Sequence, residues 1–129
     1  MADIKFDLED RLVEFSCRII EVVESLPSTR AGNYIAAQLI RCGLAPALLY
    51  GEAQGAESRA DFIHKMKICL KELKETRVSL KVISKAKMIT PIERLDNIKS
   101  ENEQLISIVA KSIETAKKNL NSEKNNPKE

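Results

Sequence analysis

Apolar residues recur every three to four positions along four long segments, and this periodicity limits the fold more than any other feature of the chain. No segment alternates with the period of two that a half-buried strand requires. Glycine and proline are few, with four of each in 129 residues. The sequence therefore predicts an all-α protein. The helical stripe of the first segment consists of Leu8, Leu12, Phe15, Ile19, Val22 and Leu26.

Short polar breaks separate the four segments. Because short connections place consecutive helices side by side, the sequence predicts an antiparallel up-down-up-down four-helix bundle. Residues 1–120 are expected to form this single domain, and the polar residues 121–129 are expected to be a disordered tail. The predicted helices span approximately residues 7–26, 29–54, 58–87 and 91–120.

Helix-capping patterns support two of these boundaries. Ser58 with Asp61 is typical of an N-cap followed by an acidic residue in the first turn. Thr90, Pro91 and Glu93 together predict a capping box that opens the fourth helix. Within that helix Asn102 falls on the apolar stripe, where a buried amide can fix the register of the packed helices.

The second segment differs from the others because it is apolar almost all round. Between Arg30 and Glu52 its only charged residue is Arg41. A helix in a four-helix bundle normally buries one face, so a second apolar face implies a second partner, most simply another copy of the chain. The residues predicted to lie at such an interface, or to be buried polar groups, are Gln38, Arg41, Tyr50, Glu52 and Gln54.

A buried Arg41 would need a carboxylate partner. Glu52 lies eleven residues further along the same helix, at a separation of roughly 16 Å, which is too far for an ion pair within the helix. Glu52 of a neighbouring subunit is therefore the predicted partner of Arg41.

Two stretches carry a family resemblance, namely "QLIRCG" from Gln38 and "YGEAQGAESRADFIHKMKICLKELKET" from Tyr50. They are similar to the bacterial four-helix-bundle family named after the intervening sequences of large-subunit rRNA, which is related to the accessory variability protein of diversity-generating retroelements. The resemblance extends from about Phe6 to Lys87. The chain departs from the family pattern at Ala45, at Leu49 and in the stretch "SLKVI".

The resemblance implies a small cytoplasmic bundle that assembles as a ring, typically of five subunits, without enzymatic activity. The retroelement relatives further imply binding of RNA or DNA and of a reverse transcriptase. No cofactor is implied.

The net charge of +2 conceals a segregation of charge between helices. Residues 1–27 contain three basic and seven acidic residues, whereas residues 58–87 contain nine basic and three acidic residues. Five lysines of the third segment fall within a sector of about 80° on the helical wheel: Lys67, Lys71, Lys74, Lys81 and Lys85.

Two interpretations of this lysine stripe remain open. The lysines can contact the phosphates of a nucleic acid, which makes binding salt-dependent. Alternatively, the stripe is a solvated face, or it faces the acidic first helix of the same or a neighbouring chain, as in a head-to-tail contact. The scarcity of aromatic residues disfavours recognition of single strands by stacking.

The residue types that carry catalysis or bind metals show no recognisable pattern. His64 is the only histidine, and it is predicted to point away from the core. Cys42 and Cys69 are predicted to be apolar core residues, and three unpaired cysteines suit a reducing cytoplasm. The sequence thus predicts no catalytic residue, metal site or small-molecule substrate. It favours a non-catalytic homo-oligomeric scaffold, with an RNA- or DNA-binding accessory protein as the alternative.

Overall fold

A computed structural model describes residues 7–125. Within these residues the chain forms four α-helices and no strand. The sequence-based prediction of an all-α fold is therefore confirmed. A short 3-10 helix, Ile92–Leu95, precedes the last α-helix. The helices are α1 (Leu8–Glu24), α2 (Arg30–Gln54), α3 (Arg59–Lys85) and α4 (Asp96–Asn125).

Each of the first three helices is preceded by a residue whose side chain accepts a hydrogen bond from a backbone N–H of the first turn. Asp7, Thr29 and Ser58 are these N-caps, and Ser58 accepts from the backbone N–H of Asp61. Such a cap satisfies a donor that the helix itself leaves unpaired. The predicted cap at Ser58 is confirmed.

The predicted capping box at the start of the fourth helix is wrong. Pro91 has extended backbone angles, so it cannot be the first helical residue after an N-cap at Thr90, and no side chain caps this turn. Ile89 and Leu95 are both buried on either side of it. The chain therefore passes through an extended residue and a 3-10 turn to return both side chains to the core, and the α-helix begins only at Asp96.

The ion pairs between consecutive helices show that the two helices of each pair run in opposite directions. On α3 and α4, Arg59 pairs with Glu123, whereas Arg77, further along α3, pairs with the earlier Glu103. α2 and α3 show the same order, because Lys65 pairs with Glu52 and the later Glu72 pairs with the earlier Arg41. This order is consistent with the predicted up-down-up-down arrangement.

The core lies between the apolar stripes that the sequence predicts. Leu12, Phe15 and Ile19 of α1 are completely buried, as are Leu39 of α2 and Leu105 of α4. α1 and α2 approach closely at Gly43, where an added Cβ would lie 2.7 Å from Ile19 Cγ2. Glycine at this position therefore sets how closely the two helices pack.

Asn102 is buried in the core, as predicted. Its Nδ2 donates a hydrogen bond to the carbonyl of Leu73 on α3 at 3.3 Å, whereas its Oδ1 accepts none. A buried amide with a single bond costs stability, so its presence is consistent with a role in specifying register.

α4 extends beyond the predicted end of the domain at residue 120. It continues to Asn125, so residues 121–125 belong to the helix and not to a disordered tail. Arg59 of α3 forms an ion pair with this end of α4, since its Nη2 lies 2.6 Å from Glu123 Oε2. The predictions for residues 1–6 and 126–129 fall outside the residues that the structure describes.

Candidate functional site

No helix within residues 7–125 covers the outer face of α2. Leu48 and Tyr34 are 69% and 67% exposed, and Ile40 is 36% exposed. The opposite side of α2 packs into the core through Leu39 and Cys42. The predicted second apolar face of this helix is thus present and open in the protomer.

A groove of about 780 Å³ runs between α2 and α3 beside this face. Its apolar lining is formed by Ile35 of α2 and by Leu70, Val78 and Val82 of α3. Val78 is 58% exposed. We refer to this feature as the α2–α3 groove.

Lysines form the basic part of the same groove. Lys67, Lys71 and Lys74 line it, and all three side chains are exposed. Lys81 and Lys85 are also exposed and continue the stripe towards the C-terminal end of α3. None of the five forms an ion pair with another described residue. The predicted lysine stripe therefore lies on the surface and borders an apolar groove.

Arg41 belongs to an ion-pair cluster at one edge of the groove. Its two terminal nitrogens contact Glu72 Oε1 at 3.0 Å and Glu75 Oε1 at 2.8 Å, and Nη2 also donates to Gln38 Oε1. Gln38 in turn donates to the hydroxyl of Tyr34. The hydrogen bond from Arg41 lowers the pKa of Glu75 below its usual value. The cluster thus compensates the only charge that α2 carries between Arg30 and Glu52.

The predicted pairing of Arg41 with Glu52 of a neighbouring subunit assumed a buried arginine without a partner in its own chain, and this assumption is wrong. Arg41 is half-exposed and finds both carboxylates on α3 of its own chain, while Glu52 accepts a hydrogen bond from Lys65 at 2.9 Å. The prediction considered only Glu52 of α2 as a partner, whereas the partners of Arg41 lie on α3, which packs beside α2.

The other predicted interface residues are scattered near the C-terminal half of α2. Gln54 is exposed and lines a separate surface groove with Arg59 and Glu123. Tyr50 is half-buried, and burial together with the charges of Asp7 and Glu9 raises its pKa. The structure therefore brings Gln38 and Arg41 to the α2–α3 groove but leaves Gln54 and Tyr50 outside it.

Sequence reasoning missed Val78 and Val82, which form the apolar part of the groove on α3. The available signal was their i, i+4 spacing between the lysines of the stripe, which marks a mixed face and not a purely solvated one. It also missed the burial of Glu72, which is 8% exposed although it carries a charge.

The thiols and the histidine have the surroundings that the sequence predicts. Cys42 and Cys69 are buried, and burial raises the pKa of both, that of Cys69 to about 12. His64 is exposed. Across residues 7–125, no three acidic, histidine or cysteine side chains come together as a metal site. In the same part of the chain, no helix has the length and apolar character needed to cross a membrane.

The chain is similar to proteins of one bacterial group. Residues 5–125 match the family model described as "23S rRNA-intervening sequence protein". A crystal structure from Bacteroides thetaiotaomicron VPI-5482, of a protein of unknown function from the S23 ribosomal protein family, has a TM-score of 0.77 and 29% identity. The match covers 83% of this chain and 98% of that chain. No curated protein matches significantly. Because the family model matches nearly the whole chain, the protein belongs to the 23S rRNA-intervening sequence protein family.

Proposed function

We propose that the protein is a non-catalytic, cytoplasmic scaffold that assembles as a homo-oligomer through the outer face of α2. The observation that carries this proposal is the exposure of three large apolar side chains of α2, namely Tyr34, Ile40 and Leu48. Burying one large apolar side chain contributes about 1.5–3 kcal/mol. An exposed apolar patch of this kind on a small protein is typical of an interaction surface.

The charges on α2 are arranged so that they do not oppose such a contact. Arg41 is the only charged residue between Arg30 and Glu52, and Glu72 and Glu75 of the same chain already pair with it. A second copy can therefore cover the face without having to desolvate an unpaired cation, which would be costly.

Light scattering on the wild type and two variants tests this proposal. Leu48→Glu places a charge at the most exposed large apolar side chain of α2, so we expect the assembly to dissociate or weaken strongly. Ile92→Glu makes the same change at an exposed apolar residue outside α2, and we expect it to leave the mass unchanged. A monomeric wild type, or an oligomer insensitive to Leu48→Glu, would contradict the proposal.

A second candidate function, nucleic-acid binding as an accessory to a nucleic-acid enzyme, has one specific observation in its favour. The five lysines of α3 are exposed and have no carboxylate partner among the described residues. Each phosphate that a lysine neutralises releases counterions, so affinity falls as salt rises.

Fluorescence anisotropy with a random duplex oligonucleotide at several salt concentrations tests this second function. If Lys81 and Lys85 each contact a phosphate, replacing both by Gln should reduce the slope of log affinity against log salt by about 1.8. The matched control replaces Lys117 and Lys118, which are exposed on α4, and it should leave the slope unchanged. Equal slopes in all three proteins would remove this candidate.

A further inference from the structure

The outer face of α1 is acidic at its edges and apolar along its centre. Val13 and Ile20 are 48% and 40% exposed, and Cys17 lies exposed between them. The spacing of four and three residues places these side chains on one stripe. The exposed carboxylates on either side belong to Glu9, Asp10, Glu14, Glu21 and Glu24. We refer to this surface as the acidic face of α1.

Neighbouring cations of the described chain do not compensate this negative charge. None of these five carboxylates forms an ion pair with another described residue. A hydrogen bond to Asp7, together with the charges of Asp7 and Glu9, raises the pKa of Asp10. The acidic face therefore carries an excess of negative charge that an external cation can relieve.

The α2–α3 groove has the complementary pattern. Its apolar lining, which includes Leu70 and Val78, is bordered by Lys67, Lys71 and Lys74. The lysine stripe from Lys67 to Lys85 extends over roughly 27 Å of helix, and the acidic face from Glu9 to Glu24 over roughly 22 Å. The two surfaces therefore match in charge, in apolar content and in length.

The two complementary surfaces cannot meet within one chain. In the described residues α1 lies beside α2 and α4, whereas no Cα atom of α1 comes within 8 Å of one of α3, so α1 and α3 occupy opposite corners of the bundle. A contact between the acidic face and the groove therefore requires a second copy. Because the two surfaces are different patches of the protein, the contact is head-to-tail and leaves one of each patch free on every dimer.

We infer that the acidic face of α1 of one copy docks into the α2–α3 groove of the next copy. This inference rests on the proposed homo-oligomeric scaffold and adds a contact in the groove that runs beside the outer face of α2. The stripe of Val13, Cys17 and Ile20 covers the apolar lining of the groove, and the flanking carboxylates approach Lys67, Lys71 and Lys74. The groove residues are then occupied by protein, so a nucleic acid has access only to the lysines beyond it.

A cysteine pair tests this contact directly, because Cys17 is the only exposed native thiol. In the full-length Val78→Cys variant, mild oxidation should link Cys17 of one copy to the groove of the next. The result should be a ladder of covalent dimers, trimers and larger species on a non-reducing gel. With Cys17→Ser added as the control, the ladder should disappear. A ladder that persists in this control, or none in Val78→Cys under conditions where the protein is oligomeric, would overturn the inference.

Charge reversal followed by mixing gives a second, independent test. Lys71→Glu with Lys74→Glu disables the groove, and Glu21→Lys with Glu24→Lys disables the acidic face. Each double variant should raise the dissociation constant of the assembly at least about tenfold, with unchanged helical circular dichroism. Mixed in equal amounts, they bring a native acidic face to a native groove and a reversed face to a reversed groove, and both pairings join opposite charges, so the assembly should form again.

The two tests separate this inference from the proposed function. An oligomer whose mass is unaffected by either double variant would overturn the docking of α1 in the groove while leaving the scaffold proposal in place. A wild type that is monomeric at every micromolar concentration tested would overturn both. A dissociated Lys71→Glu, Lys74→Glu variant that forms no assembly with its counterpart would show that the groove binds a surface other than α1.

Discussion

Replacing the buried amide of Asn102 by leucine should stabilise the protein. Asn102 is 1% exposed, its Oδ1 accepts no hydrogen bond, and its Nδ2 makes one bond of 3.3 Å to the Leu73 carbonyl. Leucine has the same branched shape and no polar atom. Asn102 also lines a small pocket of about 30 Å³ between α3 and α4.

The expected change in the free energy of unfolding is the difference between two opposing effects. Removing an unsatisfied buried acceptor gains about 1–3 kcal/mol, and losing the hydrogen bond to Leu73 costs about 0.5–1.5 kcal/mol. That carbonyl can still accept the hydrogen bond of its own helix. We therefore expect Asn102→Leu to raise the free energy of unfolding by about 1 kcal/mol and the melting temperature by roughly 3–6 °C.

Urea titration, monitored by the helical circular dichroism signal, measures the free energy of unfolding. All proteins must be compared at one concentration, because association contributes to apparent stability. Asn119→Leu is the matched control: it makes the same change at an exposed position of α4 and should alter stability by no more than about 0.5 kcal/mol. If Asn102→Leu lowers the free energy of unfolding by more than about 1 kcal/mol, the reasoning about the orphaned acceptor is refuted.

Three further predictions follow from particular contacts. Gly43→Ala should destabilise the protein by about 1–3 kcal/mol in urea, because its Cβ would lie 2.7 Å from Ile19 Cγ2, and the loss should shrink in an Ile19→Ala background. Since Arg41 lowers the pKa of Glu75, their pair stabilises the fold above the unfolded-state pKa, and this contribution disappears as the pH falls through the lower folded-state pKa. Glu75→Gln should therefore reduce the loss of melting temperature on acidification, and an unchanged pH profile would contradict the pairing. In the native protein a thiol reagent should label only Cys17, because the other two cysteines are buried and the pKa of Cys69 is raised to about 12; prompt labelling of all three would refute this.

Helical periodicity was sufficient to predict the helices and most of the core. Apolar spacing identified Leu12, Phe15 and Ile19 of α1 as core residues, and all three are completely buried. It also placed Asn102 in the core. These features follow from local geometry, since the period of the helix decides which side of each segment faces its neighbours.

Features that depend on how two helices align could not be predicted in the same way. The partners of Arg41 are Glu72 and Glu75 on α3, and periodicity says which faces meet but not which residues stand opposite one another. The α2–α3 groove likewise depends on the packing of the two helices. Short patterns were also ambiguous: Thr90 and Glu93 have the spacing of a capping box, yet burial of Ile89 and Leu95 imposes a different backbone there.

The exposed face of α2 links the sequence, the fold and the proposed function. A low-charge helix with Tyr34 and Leu48 open to solvent places an apolar surface where the bundle itself has nothing to cover it. In the docking that we propose, the segregation of charge between α1 and α3 decides which surfaces of two copies attract each other.

Sedimentation equilibrium of the unmodified chain over the micromolar range tests the central claim most directly. The protomer has a mass of 14.5 kDa. We predict a single species whose mass is a multiple of this value and which persists on dilution. A mass of one protomer at every concentration would contradict the claim that copies of the chain cover the outer face of α2.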